Sequence, residues 1–352
     1  MSKRIVMSMQ IAFYYDSSFD WNDNDLENKG VGGSQSTLIR MTRELAKRHE
    51  VTVFNSTTKE GRYNGVTYRN YQTYRSDQFW DVFVSYRCAL PSSGVNAACK
   101  LHWCIDPGDN TVEKDLPFID KVITISPFHT KMMSNIFHID KSKIYEARLG
   151  IQTEDYWDCL PKTKNKLIFC SAPDRGLRHV PQIFSLIKKK IPDVSLVITM
   201  DYSLWGFKPE TEPYRELFKG MEGVTYLGKV SQQQLVHEQK TSMIHIYPCD
   251  GPYEMFCLAS MECQAAGTPT IATNQGALST TVQDGKTGKL IYTLPDYDSC
   301  FYQTFADTVT TLLSDPIEWQ RMSTYARERA FVHYSLKGLV LELEKRFTDW
   351  SR

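Results

Sequence analysis

No stretch of this 352-residue chain approaches the run of about 18–20 apolar residues that crosses a bilayer, so no membrane span is expected. Neither charge is in excess. Forty-one basic residues face 41 acidic ones, so no global field recruits nucleic acid or an anionic membrane, and any anion site must be built locally. The nine cysteines include no Cys-x-x-C pair, which leaves neither zinc-finger spacing nor a disulfide framework. A reducing compartment, and with it a cytoplasmic location, is expected. No short internal repeat or low-complexity tract interrupts the chain. Met1-Ser2-Lys3-Arg4 is basic, but Ser8, Gln10 and Asp16 break the stretch that follows. That stretch reads as a buried strand rather than a signal peptide.

What is present is a steady alternation of strand-like and helix-like segments over a length that suits two domains. In the first half Ile5–Tyr15, Val51–Phe54, Val82–Tyr86, Leu101–Ile105 and Val122–Ile125 read as strands. Leu38, Met41 and Leu45 mark an amphipathic helix that ends in the basic Lys47-Arg48-His49. In the second half the strands are Leu167–Cys170, Leu196–Met200, Val224–Leu227, Met243–Tyr247 and Thr270–Thr273. Helices fit over Val180–Lys190, Gln232–Lys240 and Leu258–Ala266. The polar stretch Thr153–Lys166, with Pro161, reads as a linker between domains at 1–155 and 156–334. Beyond it, Trp319, Met322, Ala326 and Ala330 share one helical face, and after a break near Ser335 come Leu339, Leu343 and Phe347. Aromatics such as Tyr14 and Phe83 lie in strand-like runs and belong to the core. The fold class is α/β: two Rossmann-like domains with mainly parallel sheets facing a central cleft, with ligands at the carboxyl ends of the strands.

The most specific feature is a pair of carboxylates, Glu254 and Glu262. They are set in Pro252-Tyr253-Glu254-Met255-Phe256-Cys257-Leu258 and followed by Gly267-Thr268-Pro269 and the apolar Thr270-Ile271-Ala272. The run reads as loop, short helix, glycine stop and strand, with Gly267 at C′ and Pro269 forbidding continuation. In one continuous helix, eight residues turn about 800°, which leaves the two side chains roughly 80° apart. With Glu254 just ahead of the helix, the pair instead surrounds an extended polar ligand. The backbone N–H groups of Phe256, Cys257 and Leu258 then face an anion between them.

These residues resemble the donor-site signature of the retaining GT-B glycosyltransferases, the glycosyl transferases group 1 (family 4) class. Its pattern is Glu-x7-Glu, opening on Glu-x-Phe-Gly and closing on Gly-x-Pro. This chain has Glu254-Met255-Phe256, Glu262 and Gly267-Thr268-Pro269, but Cys257 where the family has glycine. Further likenesses run along the chain: the glycine turn Gly32-Gly33-Ser34-Gln35, the strand Val122–Ser126, the turn Leu149-Gly150-Ile151, and Tyr226-Leu227-Gly228-Lys229 with Ile246-Tyr247-Pro248. The resemblance implies a GT-B enzyme with an acceptor-side domain at 1–155 and a nucleotide-sugar domain at 156–334. It implies that residues 335–352 pack back on the first domain.

The resemblance also assigns roles. Glu254 contacts the donor sugar, the backbone after it the sugar and diphosphate, and Glu262 the ribose hydroxyls. The loop Ser171–Arg178, at a strand's carboxyl end, supplies Arg175 for the diphosphate, with Arg178 or Lys229 as a second charge; an arginine can bind phosphate in bidentate fashion. Gly32, Gly33 and Tyr247 join the donor set, and Asp106 and His102 stand as candidates near the transferred sugar. No metal and no cofactor beyond the nucleoside diphosphate sugar is implied. The acceptor is a glycan or a lipid- or protein-linked sugar, and peripheral contact with a membrane is compatible. The departures are Cys170 or Ser171 in place of an early arginine, Thr280 in place of a glutamate, and a single glycine, Gly276, in Asn274-Gln275-Gly276-Ala277. They keep open a non-catalytic relic that binds nucleotide sugar or scaffolds a partner. A dinucleotide fingerprint beginning at Gly30-x-Gly32 fails at Gln35, and no lysine is marked for a phosphorylase's pyridoxal phosphate.

Overall fold

Short runs rich in valine, isoleucine and phenylalanine, most of them buried on both faces, form two mainly parallel sheets, as continuous apolar strands in α/β proteins do. The computed structural model describes residues 8–107, 110–205, 210–292 and 299–352. The chain divides into two units, Met1–Leu26 with Gly33–Gly150 and Leu336–Arg352, and Glu27–Gly32 with Ile151–Ser335.

The first unit holds the strands β1 (Gln10–Tyr14), β2 (Glu50–Asn55), β3 (Gly61–Tyr63), β4 (Val66–Asn70), β5 (Phe79–Tyr86), β6 (Asn96–Trp103), β7 (Lys121–Thr124) and β8 (Ile144–Glu146). They pair in the order β3-β4-β2-β1-β5-β6-β7-β8, and only the β3–β4 hairpin is antiparallel. Its turn is Asn64-Gly65, both residues at positive φ (47° and 86°), the left-handed pair that a two-residue hairpin requires. The helix Gly33–Leu45 buries Leu38, Ile39, Met41 and Leu45. The helix Leu336–Trp350 packs against it and has Val340, Leu343 and Phe347 fully buried. Glu344 of that helix accepts from Arg48 Nε at 2.6 Å and pairs with His49 Nε2 at 3.0 Å. Gly150 lies where the chain meets this helix: a Cβ there would stand 2.6 Å from Leu336 Cα.

The second unit holds β9 (Lys166–Phe169), β10 (Ser195–Thr199), β11 (Val224–Gly228), β12 (Ile244–Tyr247), β13 (Thr270–Thr273) and β14 (Gly288–Ile291), all parallel, in the order β11-β10-β9-β12-β13-β14. Counted within the unit this is 3-2-1-4-5-6. The connections reverse direction between β9 and β12, and doubly wound sheets bind ligands at the carboxyl edge of that point. Phe169, Ile183, Phe184, Ile198, Ile246 and Phe305 fill the core between the sheet and the helices Val180–Lys190 and Ser299–Ser314. Ile151 pairs in parallel with Ser335 where the unit begins and ends.

Each strand read from the sequence is present, Thr270–Thr273 with the same bounds and the others with shifted ends; residues 5–7 of Ile5–Tyr15 lie outside the described residues. The hairpin β3–β4, β8, β14 and the helix Ser299–Ser314 were not anticipated. The polar stretch Thr153–Lys166 is not an open linker throughout. Thr153 and Tyr156 are buried, and Tyr156 Oη donates to Gln239 Oε1 at 2.7 Å.

Candidate active site

β9 and β12 end side by side at the reversal point, and the loops that leave them meet. The loop after β9 folds back through the bonds Arg175 N to Ala172 O (3.0 Å) and Leu177 N to Pro173 O (3.1 Å). Gly176, at φ +91°, passes so close to the other loop that a Cβ would stand 2.0 Å from Pro248 O. Only glycine meets both conditions. This approach carries Arg175 to the loop after β12: one terminal nitrogen donates to Pro252 O at 2.6 Å, and Nε lies 3.7 Å from Glu254 Oε1. Burial works against the charge on Arg175, but Glu254, Tyr247 and Asp174 outweigh it and hold its pKa above the ordinary value.

Tyr247, the last residue of β12, is fully buried, and its hydroxyl donates to Glu254 Oε1 and lies 3.2 Å from Ser171 Oγ. Burial, and then the Glu254 carboxylate, push the phenol well above its usual range, so it remains a donor. The Glu254 backbone is held from the far side: Ala277 N donates to Glu254 O at 2.7 Å, and a Cβ on Gly276 would meet that oxygen at 2.4 Å. Glu254 is therefore fixed by a tyrosine at the end of β12, an arginine from the loop after β9 and a glycine turn after β13.

The helix Leu258–Ala265 follows, with Cys257 as its N-cap at φ 68°, ψ 73°. This left-handed conformation accounts for a glycine in the family pattern, and here a cysteine adopts it with its thiol buried. The side chains of Met255 and Phe256 are also buried, the latter against the Tyr334 ring at 5.8 Å, so these two residues present backbone rather than side chain to the edge. Glu262, one turn into the helix, is 6 % exposed and accepts from Gln239 Nε2 at 3.3 Å. The helix ends at Gly267, at φ +68°, and Arg329 braces it from behind by donating to Gln264 Oε1 (3.2 Å), Thr281 O (2.7 Å) and Thr280 O (2.8 Å).

Of the remaining candidates, Arg178 is ion-paired with Asp250, which also binds His179 Nε2 at 2.9 Å. Lys229 follows β11 at the same sheet edge, two strands from the reversal. Gly32 falls in the second unit and Gly33 opens a helix of the first. Asp106 also belongs to the first unit. It is half exposed and accepts from Arg87 Nε at 2.7 Å, and Arg87 donates to Tyr15 Oη at 2.9 Å. His102, the other candidate near the transferred sugar, lies in β6. It has no exposed surface, and its Nδ1 lies 2.8 Å from Asp115 Oδ2 and 3.3 Å from Ser85 Oγ, so it braces the core of the first unit. Ser171, Asp250 and Gly276 were missed as supports of the site; the signal for Asp250-Gly251 was a polar residue beside glycine at a strand's end.

Residues 159–329 match the family model of the glycosyl transferases group 1. D-inositol 3-phosphate glycosyltransferase of Paenarthrobacter aurescens is 33 % identical over 116 residues, 32 % of this chain and 28 % of that protein. MMP alpha-(1->4)-mannosyltransferase of Mycolicibacterium hassiacum is 22 % identical over 226 residues, 64 % of this chain and 53 % of that one. The chain thus spans from about a quarter to about half of the length of these relatives. Among solved structures, sucrose-phosphate synthase from Thermosynechococcus elongatus superposes with a TM-score of 0.74 at 16 % identity, covering 96 % of this chain and 98 % of that one. Anabaena HepE in complex with UDP-glucose gives 0.70 at 14 % identity, covering 97 % and 100 %. The fold of this chain is GT-B, and the unit that carries the Arg175–Glu254 site belongs to the glycosyl transferases group 1 family.

Proposed function

We propose that the protein transfers a sugar from a nucleoside diphosphate sugar, a UDP- or GDP-sugar, to an acceptor hydroxyl with retention at the anomeric carbon and without a metal. The observation that carries this reading is the convergence of Arg175, Tyr247 and Glu254 at the reversal point of the second sheet, with Glu262 on the helix that starts there. Arg175 and the helix N-terminus after Glu254 stabilise the departing diphosphate, which is electrostatic catalysis at a developing charge. Glu254 orients the sugar and Glu262 holds the ribose. The relatives named for sugar transfer and the HepE complex with UDP-glucose support the donor class.

A thermal-shift screen of nucleotide sugars tests this, since a ligand that binds only the folded state raises the melting temperature by mass action. One UDP- or GDP-sugar should raise it, and Glu262→Ala should abolish most of the shift. A chain indifferent to every nucleotide sugar would refute the reading.

The second reading, a binder without turnover, is favoured by Thr280. Where the family carries a glutamate, its hydroxyl donates to Ala277 O at 2.7 Å and offers no carboxylate. Donor binding with neither hydrolysis nor transfer on any acceptor would select it.

A further inference from the structure

The donor site leaves one buried cluster unused. Cys170 just after β9, His245 in β12 and Cys263 in the helix Leu258–Ala265 bring two sulfurs and one imidazole nitrogen within 4.8 Å of one another. His245 and Cys263 have no exposed surface and Cys170 is 5 % exposed. The sulfurs are 3.6 Å apart. A disulfide would bring them to about 2.05 Å. Two thiolates, each about 2.3 Å from one tetrahedral ion, stand roughly 3.8 Å apart.

The histidine supplies an independent observation. Its Nδ1 lies 3.2 Å from Thr270 Oγ1, which fixes the ring, whereas Nε2 is buried with no hydrogen-bond partner. Buried ring nitrogens are nearly always bonded. A metal-ligating histidine is held in this way, with one nitrogen on a fixed oxygen and the other on the ion.

We propose that Cys170, His245 and Cys263 bind a thiophilic divalent cation, with Zn²⁺ the ion suited to two thiolates and one imidazole. Nδ1–H then donates to Thr270 Oγ1 and leaves the Nε2 lone pair for the metal. The two thiolates cancel the charge of the ion, so its burial leaves no net charge in the core. The site ties together β9, β12 and the helix that carries Glu262. Gln239 Nε2 reaches both Cys170 Sγ (3.9 Å) and Glu262 Oε2 (3.3 Å), which couples the ion to the position of that carboxylate.

The test uses the full chain, reduced with a phosphine, incubated with Zn²⁺ or Co²⁺ and desalted. About one ion per chain should remain by atomic spectroscopy, and the cobalt form should show thiolate-to-metal charge-transfer absorption. Cys263→Ser should lose both, while Cys159→Ser and Cys300→Ser, at exposed cysteines, should keep both. Thr270→Val should weaken zinc binding about 10–100-fold. Reduced wild-type protein that retains no zinc and gives no cobalt–thiolate band overturns the proposal, as does equal retention by folded Cys263→Ser. A Cys170–Cys263 disulfide in aerated protein that takes up no metal once reduced overturns it in favour of a redox pair. Should Cys263→Ser fail to fold, the wild-type cobalt spectrum decides. No donor sugar enters the measurement, so its outcome is independent of the proposed transfer.

Discussion

Arg175 shows how much of the site rests on single side chains. It is the guanidinium that the β9 loop delivers to Glu254, and its other contacts are to Pro252 O and Asp174. Arg175→Ala should lower kcat by more than tenfold, since one charged hydrogen bond to phosphate contributes about 1.5 kcal/mol or more and about 1.4 kcal/mol is tenfold in rate. Steady-state kinetics at saturating donor checks it, and a nearly normal rate would move the diphosphate elsewhere. Cys257 is the complementary case, in which the backbone decides. A left-handed residue costs roughly 1–2 kcal/mol, so glycine at 257 relieves strain about as large as the loss of thiol packing. Cys257→Gly should therefore leave the melting temperature within a few degrees of wild type. Cys257→Val, β-branched at positive φ, should lower it by clearly more.

At the scale of elements, the site depends on two loops touching through backbone. Gly176→Ala would place a Cβ 2.0 Å from Pro248 O, in a conformation that already disfavours side chains. The loops must separate, and donor affinity should fall at least tenfold even where the far-ultraviolet spectrum is unchanged. Isothermal titration with the preferred nucleotide sugar measures this; unchanged affinity would show that the contact is dispensable.

Much of this architecture was legible in the sequence because it is periodic. Buried parallel strands are continuous apolar runs, Val180–Lys190 carries its own amphipathic stripe, and Gly267 marks a helix end. Apart from the helix Ser299–Ser314, what escaped notice was short, polar or non-local. The hairpin β3–β4 has little apolar content, though its Asn64-Gly65 turn was a signal in plain view. The short β14 is recognisable through its neighbour, since Gly288 lies where a Cβ would stand 1.8 Å from Thr270 O. The sequence could not name the partners of His102, because only the fold reveals Asp115 and Ser85 beside it. The Glu254–Glu262 pair was visible as spacing, whereas Tyr247, Gly176 and Gly276 acquire their meaning only when β9 and β12 lie side by side.

At the scale of the molecule, stability should depend on pH through the first unit. His49 sits between Met9 N, which donates to Nδ1 at 3.2 Å, and Glu344 at Nε2. With Nδ1 already accepting, the ring is neutral with its proton on Nε2. Burial lowers its pKa below the usual value despite the attraction of Glu344. Because the folded state binds this proton less readily than the unfolded chain, whose pKa is about 6.5, the unfolded state gains protons first on acidification. Stability is therefore fully present above pH ~6.5 and declines as the pH falls below it. Urea unfolding between pH 7.5 and about 5.5 should show this decline, and His49→Gln should flatten it. An unchanged slope in the variant would assign the pH dependence to another group.

The return of residues 336–352 to the first unit also sets an order of assembly. A ribosome working at about 5–20 residues per second needs roughly 10–40 s to pass from Gly150 to Leu336. All that time the nascent first unit lacks the helix bearing Val340, Leu343 and Phe347, and the part of Gly33–Leu45 against which that helix packs stays without it. The second unit has its full complement of residues first. Synthesis thus reverses the usual amino-to-carboxyl sequence of domain completion, and the stretch of exposed apolar helix is the period in which a chaperone would have something to hold.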